Sequence, residues 1–254
     1  MPTPRRNAIL ITGASSGIGL EMARQFAAKG YDLALCARRI DKLEQLRLDL
    51  LHYGRRIEVQ ELDVTNHCQV MSAFTELDNK IGGLDRIIVN AGVAGGSKIG
   101  TGEFDKNRQV LEINLVSGLA QIEAALNVFR ARGHGHIVLI SSLSAVAALP
   151  GAMAAYGASK AGLSYLGKAL SRELADTEIS VSTIFPGYIR TPLNAHKGRL
   201  PFEVDVASGT VAIVRAIERE LRVAYVPSWP WKILGRLLPL IPARLIAGGE
   251  KTNT

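Results

Sequence analysis

The stretch AILITGASSGIG, residues 8–19, decides the fold, because it joins a short apolar run to a turn that is rich in glycine. The run AILIT at 8–12 contains apolar and β-branched residues, which predicts a buried strand. Glycines follow at positions 13, 17 and 19, and a helical pattern begins at 17. Such a turn lets the backbone approach a pyrophosphate at the helix N-terminus, so the stretch predicts dinucleotide binding. A tight strand-to-helix turn that binds nothing is the alternative.

The alternation of strand and helix patterns continues along the whole chain. Strands are predicted at 8–12, 32–37, 56–62, 85–90, 135–141, 179–185 and 223–227, and helices at 17–29, 41–53, 67–81, 103–130, 152–176 and 205–220. This order predicts an α/β, doubly wound Rossmann fold with a mostly or wholly parallel central sheet, in one domain over residues 1–254. Ligands of such sheets bind at the carboxyl ends of the strands, so the site is expected there.

The charge of the chain raises the question of a nucleic acid partner. Its net charge is +7 and its isoelectric point is near 9.6. The basic residues nevertheless come as scattered doublets without interleaved aromatic residues, at Arg5-Arg6, Arg38-Arg39 and Arg55-Arg56. We therefore expect no nucleic acid partner and favour anionic small molecules.

Neither a membrane span nor an export signal is expected, because the longest apolar runs are too short for either. Cys36 and Cys68 have no metal-ligand spacing, so we interpret them as buried free thiols of a cytoplasmic protein. The histidines at 52, 67, 134, 136 and 196 also lack such spacing. No metal site is predicted.

The residues after the first two strands predict which dinucleotide binds. The turn itself supplies candidate cofactor contacts at Gly13, Ser15, Ser16, Gly17, Ile18 and Gly19. The second strand ends in CARR, where an NAD site would place a carboxylate for the ribose hydroxyls, and Arg38 and Arg39 stand there instead. A guanidinium can hold a 2′-phosphate, so NADP(H) is favoured over NAD(H). The alternative is that both arginines form a solvated face.

Two further strand ends suit the same ligand. Asp63, with Val64 beside it, follows the third strand and could accept a hydrogen bond from the adenine amino group. Asn90, Ala91 and Gly92 end the fourth strand with small residues that leave room for a cofactor.

Taken in order, six motifs make this sequence resemble the classical short-chain dehydrogenase/reductase family over nearly its whole length. They are Thr12–Gly19, Asn90–Gly92, Asn114 in INLVSG, ISS ending at Ser142, YGASK from Tyr156 to Lys160, and PGYIRT at 186–191. The resemblance implies the Rossmann fold, nicotinamide-dependent alcohol and carbonyl chemistry, and a homodimer or homotetramer.

Tyr156 and Lys160 are the expected acid and its modulator. Residues four apart on a helix share a face, so both side chains can point into one crevice. A free tyrosine has a pKa of about 10, and a nearby ammonium and the positive oxidised nicotinamide both favour the phenolate, so Lys160 is expected to lower the pKa of Tyr156. Tyr156 and Lys160 are also expected cofactor contacts, with Lys160 on the nicotinamide ribose. In carbonyl reduction, hydride would leave nicotinamide C4 while Tyr156 donates a proton to the substrate oxygen. The resemblance implies that Asn114 supports a water that restores the proton.

Ser142 is the expected hydrogen-bond donor to the same oxygen. It lies fourteen positions before Tyr156, one more than the family commonly shows, and Ser144 at twelve positions is the rival. We favour Ser142 because it directly follows an apolar strand. Ser141 is expected to pack.

The remaining candidate contacts come from the C-terminal third of the chain. Pro186 and Gly187 would turn the chain beneath the nicotinamide, and the resemblance places Ile189 and Thr191 near its carboxamide. Residues 187–204 are expected to form a substrate lid. The apolar tail, 227–249, is expected to be a helix over the pocket, with a subunit contact or peripheral membrane contact as alternatives.

These features predict an NADP(H)-dependent oxidoreductase that interconverts a carbonyl and an alcohol on a relatively apolar small molecule. The alternative from another class is a cofactor-bound sensor or assembly partner with little turnover. The complete set Asn114, Ser142, Tyr156 and Lys160 argues against that alternative, because a binding protein needs no proton donor.

Overall fold

The run at 8–12 forms β1, Ala8–Thr12, inside a parallel sheet of seven strands. The computed structural model describes residues 7–147, 149–192, 194, 198 and 200–237. The other strands are β2 Asp32–Ala37, β3 Ile57–Glu61, β4 Arg86–Val89, β5 His134–Ile140, β6 Glu178–Pro186 and β7 Val223–Val226. Their order across the sheet is β3-β2-β1-β4-β5-β6-β7, and every pairing is parallel. The predicted Rossmann fold with a parallel sheet is confirmed.

Helices cover both faces of the sheet. They are α1 Gly17–Ala28, α2 Ile40–Leu50, α3 His67–Ile81, α4 Phe104–Leu111, α5 Ser117–Arg132, α6 Ala154–Glu173, α7 Val206–Glu218 and α8 Ser228–Leu237. One buried cluster packs α3 and α5 against the sheet, and the other packs α1, α2 and α7 against the opposite face. Because strands that are buried on both faces must be apolar throughout, the near-continuous apolar runs of the sequence follow from this layering.

The long predicted helix at 103–130 is not one regular helix. It is divided into α4 and α5 by a π-helical turn, Glu112–Val116. Asn114 lies within this turn, and its buried side chain bonds to a neighbouring loop. Hydrophobic periodicity alone does not reveal a π-turn, because the apolar pattern continues through it.

The expected lid, 187–204, is less irregular than its sequence predicts. Ile189 and Val204 pair as an isolated parallel bridge, and Arg190 N donates to Val204 O at 2.9 Å. The two ends of the segment therefore lie side by side. Residues 193, 195–197 and 199 are outside the described chain.

Two smaller expectations are corrected or extended. Cys36 is buried in β2 as predicted, but Cys68 is exposed, because it lies in the first turn of α3 on the side away from the sheet.

One of the histidines that lack metal-ligand spacing, His136, is buried. His136 accepts from Arg86 Nε at 2.8 Å and lies 2.8 Å from Ser182 Oγ, so it joins three neighbouring strands near their amino ends.

Over the ranges that the model describes, no helix is both long and apolar enough to cross a membrane. Over the same ranges, no cluster of three or more histidine, cysteine, aspartate or glutamate side chains could hold a metal ion.

Candidate active site

A cavity of about 830 Å³ opens at the carboxyl ends of the strands. It brings together almost every residue that the sequence singled out, from the glycine turn to the PGYIRT motif. The predicted residues that line it are Gly13, Ser15, Ser16, Gly17, Ile18, Gly19, Arg38, Arg39, Asp63, Val64, Asn90, Ala91, Gly92, Ser142, Tyr156, Lys160, Pro186, Gly187, Ile189 and Thr191. Asn114 is the exception, because it is buried behind the wall.

The glycine turn is compact because it has no space for side chains at its glycines, and a compact turn lets the backbone approach a dinucleotide. Gly13 has a φ of +66°, a conformation that side chains disfavour. A Cβ at Gly19 would overlap the Gly13 carbonyl oxygen and lie 2.6 Å from Asn90 Nδ2. The turn therefore packs directly against the end of β4, and its helix N-terminus faces the cavity, as an anionic pyrophosphate requires.

Thr12 holds this packing in place, a role that its position in the glycine-rich motif does not reveal. Its Oγ1 accepts hydrogen bonds from the backbone N–H groups of Asn90 and Ala91, at 3.0 Å and 3.1 Å. Asn90 Nδ2 in turn donates to Thr12 O at 2.8 Å. The ends of β1 and β4 are thus joined by side chains as well as by the sheet.

Arg38 and Arg39 both line the cavity directly after β2. Arg39 Nη2 donates to Ser15 Oγ at 2.9 Å and to Ser16 Oγ at 2.8 Å, so its guanidinium lies against the glycine turn. Both arginines are exposed. Together they give this end of the cavity two positive charges.

Asp63 is a carboxylate held by its own loop. Its Oδ1 accepts from Thr65 N at 3.0 Å and from Thr65 Oγ1 at 2.8 Å. The backbone hydrogen bond from Thr65 is the main reason that the pKa of Asp63 lies below its usual value, and the charge of Arg38 contributes. Asp63 is therefore ionised near neutrality and remains an acceptor.

Lys160 is a buried residue that lines the cavity. The residue is 5% exposed, and Nζ donates to Ile140 O at 2.9 Å. A Cβ at Gly92 would lie 3.4 Å from this Nζ, so the small residue at 92 leaves the ammonium open to the cavity. Burial lowers the pKa of Lys160 to about 8.

Tyr156 precedes Lys160 by one helical turn on α6, and both line the cavity as expected. The expectation that Lys160 lowers the tyrosine pKa stays a prediction. Burial raises the pKa of Tyr156 above its usual value, and a hydrogen bond with the Ser142 side chain opposes the rise. The phenol is therefore protonated near neutrality, which is the form that a proton donor needs.

The three serines after β5 have distinct environments. Ser142 Oγ accepts from Ser144 N at 3.2 Å and interacts with Tyr156. Ser144 Oγ is buried and has no hydrogen-bond partner among the described residues. Ser141 Oγ donates to Lys160 O at 2.9 Å, so Ser141 packs as expected. This arrangement favours Ser142 over Ser144 as the donor to a substrate oxygen.

Asn114 supports the site from behind, through a residue that the sequence analysis missed. Its side-chain amide exchanges hydrogen bonds with the backbone of Val93, at 2.8 Å and 2.9 Å. The same amide donates to Ser159 Oγ at 3.0 Å, and Ser159 donates to Tyr156 O at 2.7 Å. Ser159 therefore connects Asn114 to the helix that carries the tyrosine. Its place in YGASK was the only available signal.

The PGYIRT segment is fixed by an asparagine further along the chain. Thr191 N donates to Asn194 Oδ1 at 2.8 Å, and Asn194 Nδ2 donates to Ile189 O at 3.0 Å. Gly187 N donates to Val226 O at 2.8 Å, which holds the start of the segment on β7. Asn194 also lines the cavity and was not singled out from the sequence.

The rest of the cavity wall is largely apolar. Trp231 on α8 lines it, so the part of the predicted tail that is described covers the pocket as a helix. Residues 238–249 of that tail lie outside the described chain. The other lining side chains are mostly apolar: Val93, Ala94, Leu143, Ala147, Leu149, Met153, Tyr188, Pro192 and Leu200.

Comparisons with known proteins place the chain among oxidoreductases. A family model described as short chain dehydrogenase matches residues 7–199. An uncharacterized oxidoreductase of Mycobacterium tuberculosis is 50% identical over 242 residues, which cover 94% of this chain and 96% of the relative. An uncharacterized oxidoreductase of Myxococcus xanthus is 33% identical and covers 88% of this chain and 87% of its own length.

Solved structures show the same architecture. A putative short-chain alcohol dehydrogenase from Sinorhizobium meliloti is 31% identical, covers 73% of each chain and has a TM-score of 0.69. An alcohol dehydrogenase from Thermococcus sibiricus, complexed with 5-hydroxy-NADP, is 24% identical and has a TM-score of 0.77 over 86% of this chain and 94% of its own.

Proposed function

This chain belongs to the short-chain dehydrogenase/reductase family of oxidoreductases, and from that premise we propose that it interconverts a carbonyl and an alcohol on a relatively apolar small molecule, with NADP(H) as coenzyme. The observation that carries the proposal is the juxtaposition of Tyr156, Ser142 and Lys160 in one cavity whose wall beyond the predicted coenzyme contacts is largely apolar. A phenol that burial keeps protonated can serve as a general acid.

The chain's own residues would manage the proton and the substrate oxygen. A bound nicotinamide coenzyme supplies or accepts the hydride. In reduction, Tyr156 donates its phenolic proton to the substrate oxygen, while Ser142 donates a hydrogen bond to the same oxygen and stabilises its developing charge. The Lys160 ammonium stabilises the phenolate that remains. In oxidation, Tyr156 accepts the alcohol proton.

Asn114 and Ser159 act on this chemistry indirectly. Their hydrogen bonds connect the Val93 backbone to α6, so they hold Tyr156 at a fixed position in the cavity. A proton donor that is already held in position raises the reaction rate, because its conformational freedom is lost before the substrate binds.

The coenzyme would lie along the glycine turn with its adenosine end towards β2. Gly13, Gly17 and Gly19 let the turn pack closely against its neighbours and line the cavity where the pyrophosphate would bind, and Arg38 and Arg39 supply positive charge where an NAD site has a carboxylate. The Arg39 contacts with Ser15 and Ser16 group a guanidinium with two hydroxyls, which together suit a 2′-phosphate. These features favour NADP(H) over NAD(H).

A test of the function is a screen of apolar ketones and aldehydes in which NADPH consumption is measured. We expect turnover of several uncharged ketones, and less or none of ketones that carry a carboxylate or phosphate. Absence of turnover across the panel, with NADPH still bound, would instead support a sensor or assembly role.

A second test addresses the coenzyme. Arg38→Ala should lower kcat/KM for NADPH about tenfold or more and change that for NADH little, because a charge-assisted hydrogen bond contributes about 1.5–3 kcal/mol. Arg39→Ala should also weaken NADPH use, since it removes the group that bonds Ser15 and Ser16. Adding Ala37→Asp to Arg38→Ala should favour NADH.

Arg55→Ala is the control, because Arg55 is a basic residue outside the cavity that pairs with Asp32. All variants are compared at one ionic strength, because salt screens exposed phosphate contacts. A wild type that prefers NADH would contradict the coenzyme assignment, as would an unchanged coenzyme ratio in Arg38→Ala and Arg39→Ala.

We also propose a cytoplasmic location and a homodimer or homotetramer. The assembly rests on the family resemblance. The exposed thiol of Cys68 suits a reducing compartment.

A further inference from the structure

The chain has two tryptophans, in the sequence SWPW at 228–231, and their environments are opposite. Trp231 is 6% exposed and lines the cavity, whereas Trp229 is 75% exposed and does not. Both residues lie in the α8 segment, whose helical backbone is interrupted at Trp229 (φ −101°, ψ 132°). Trp231 is therefore buried because of its own position, since Trp229, two residues earlier, remains exposed.

Trp231 packs against both ends of the lid segment. Its ring meets Tyr188 edge to face, with centroids 5.3 Å apart, and meets Phe202 in the same manner at 6.0 Å. A Cβ at Gly187 would overlap Trp231 Nε1, so the glycine allows the indole to lie directly on the backbone after β6. The indole is thus fixed on the cavity side that Gly187 also lines.

Stability alone does not account for an indole at this position. Trp231 Nε1 is buried and has no hydrogen-bond acceptor among the residues that the model describes. A buried donor without an acceptor costs free energy, which a phenylalanine or leucine would avoid. The size and shape of the ring, facing the cavity, are what the tryptophan adds.

We propose that Trp231 is the specificity-determining wall of the substrate pocket, and that it limits the size of the uncharged, apolar part of the substrate. This inference rests on the proposed carbonyl and alcohol chemistry and adds the residue that selects among such substrates. Leu149, Met153 and Leu200 also line this cavity, and none of them offers a charge to a substrate group. Replacing the indole with a smaller side chain would lengthen the pocket.

The first test compares two uncharged ketones, cyclohexanone and the larger bicyclic decalone, with NADPH. In Trp231→Leu and in the more conservative Trp231→Phe, the ratio of kcat/KM for decalone to that for cyclohexanone should rise about tenfold, which is the scale on which an apolar pocket discriminates size. Trp229→Leu is the matched control and should leave the ratio unchanged. An unchanged ratio in both Trp231 variants, with folding verified by thermal unfolding, would overturn the proposal.

The second test measures binding and needs no turnover. Trp229→Phe leaves Trp231 as the only tryptophan of the chain, and Trp231→Phe leaves Trp229. Adding cyclohexanone to the NADP⁺-loaded protein should quench the Trp231 fluorescence and leave that of Trp229 unchanged. Equal quenching of both, or of neither, would contradict the proposal.

The two tests also separate this inference from the proposed function. If cyclohexanone quenches Trp231 but no ketone is reduced, the wall is supported and the reductase function fails. If ketones are reduced while neither the ratio nor the fluorescence responds at Trp231, the function holds and the inference fails.

Discussion

Ser142 and Ser144 are close in sequence but differ in what their hydroxyls contact. Ser142 interacts with Tyr156 and has its oxygen held by Ser144 N, whereas Ser144 Oγ is buried without a partner in the described chain. The difference arises because Ser142 begins a short 3-10 helical turn, Leu143–Ala145, and Ser144 lies inside it. Both serines line the cavity, and of the two it is Ser142 that bonds to Tyr156.

Ser142→Ala should therefore lower kcat about a hundredfold, the scale of losing one donor to a developing oxyanion. Ser144→Ala should cost less than tenfold, because its hydroxyl is already without a partner. Steady-state kinetics of both variants with one ketone checks this. A larger loss for Ser144→Ala would reassign the donor.

The pKa values of Lys160 and Tyr156 predict how the rate of ketone reduction depends on pH. The pKa of Lys160 is lowered to about 8 by burial, and that of Tyr156 is raised. As pH rises through about 8, Lys160 loses its charge while the phenol still holds its proton. The kcat/KM for ketone reduction should be level below this pH and decline above it, because the neutral amine no longer stabilises the developing phenolate.

The profile is measured with NADPH at saturation, with thermal unfolding followed over the same range to exclude loss of the fold. A rate that stays level up to pH about 10 would show that the charge of Lys160 does not control the reaction.

At the scale of elements, the backbone is tightly constrained at the junction where β1, the glycine turn and β4 meet. Thr12 and Asn90 bond across it, and the Gly13 carbonyl occupies the space that a Cβ at Gly19 would need. Backbone atoms cannot move aside as a flexible side chain can.

Gly19→Ala should therefore destabilise the protein by about 1–3 kcal/mol and weaken NADPH binding by at least tenfold. Gly30→Ala is the matched control, because Gly30 has a φ of +88° but no atom near its Cβ position. It should lower the melting temperature through backbone strain and leave the NADPH Kd unchanged. Similar Kd values for the two variants would contradict this account of the turn.

Elements whose signal is local could be predicted from the sequence. Each buried strand reads as an apolar run, so all seven strands were placed within about two residues. The π-turn at Glu112–Val116 could not be predicted, because the apolar pattern continues through it and the hydrogen bond that Asn114 Oδ1 accepts from Val93 N joins residues distant in the chain. The pairing of Ile189 with Val204 likewise depends on a return of the chain that no periodicity shows.

At the scale of the whole molecule, the sheet explains why sequence motifs that are far apart meet. Parallel strands all end at one edge of the sheet, so the residues after β1, β2, β3, β4, β5 and β6 converge on one cavity. Side-chain partners were harder to predict. The contacts of Arg39 with the turn serines, of Ser159 with Asn114, and of Trp231 with the lid depend on packing between elements. The raised pKa of Tyr156 depends on burial, which one sequence does not give quantitatively.

The central claim is that Tyr156 is the proton donor of a carbonyl reductase, and Tyr156→Phe tests it most directly. Removing one hydroxyl takes away the acid but keeps the ring that packs in the cavity. The measurement pairs NADPH consumption with a reactive ketone and the NADPH Kd, for wild type and variant. We predict that kcat falls about 10²–10⁴-fold while the Kd stays within about threefold. A variant that keeps most of its turnover would contradict the assignment of Tyr156.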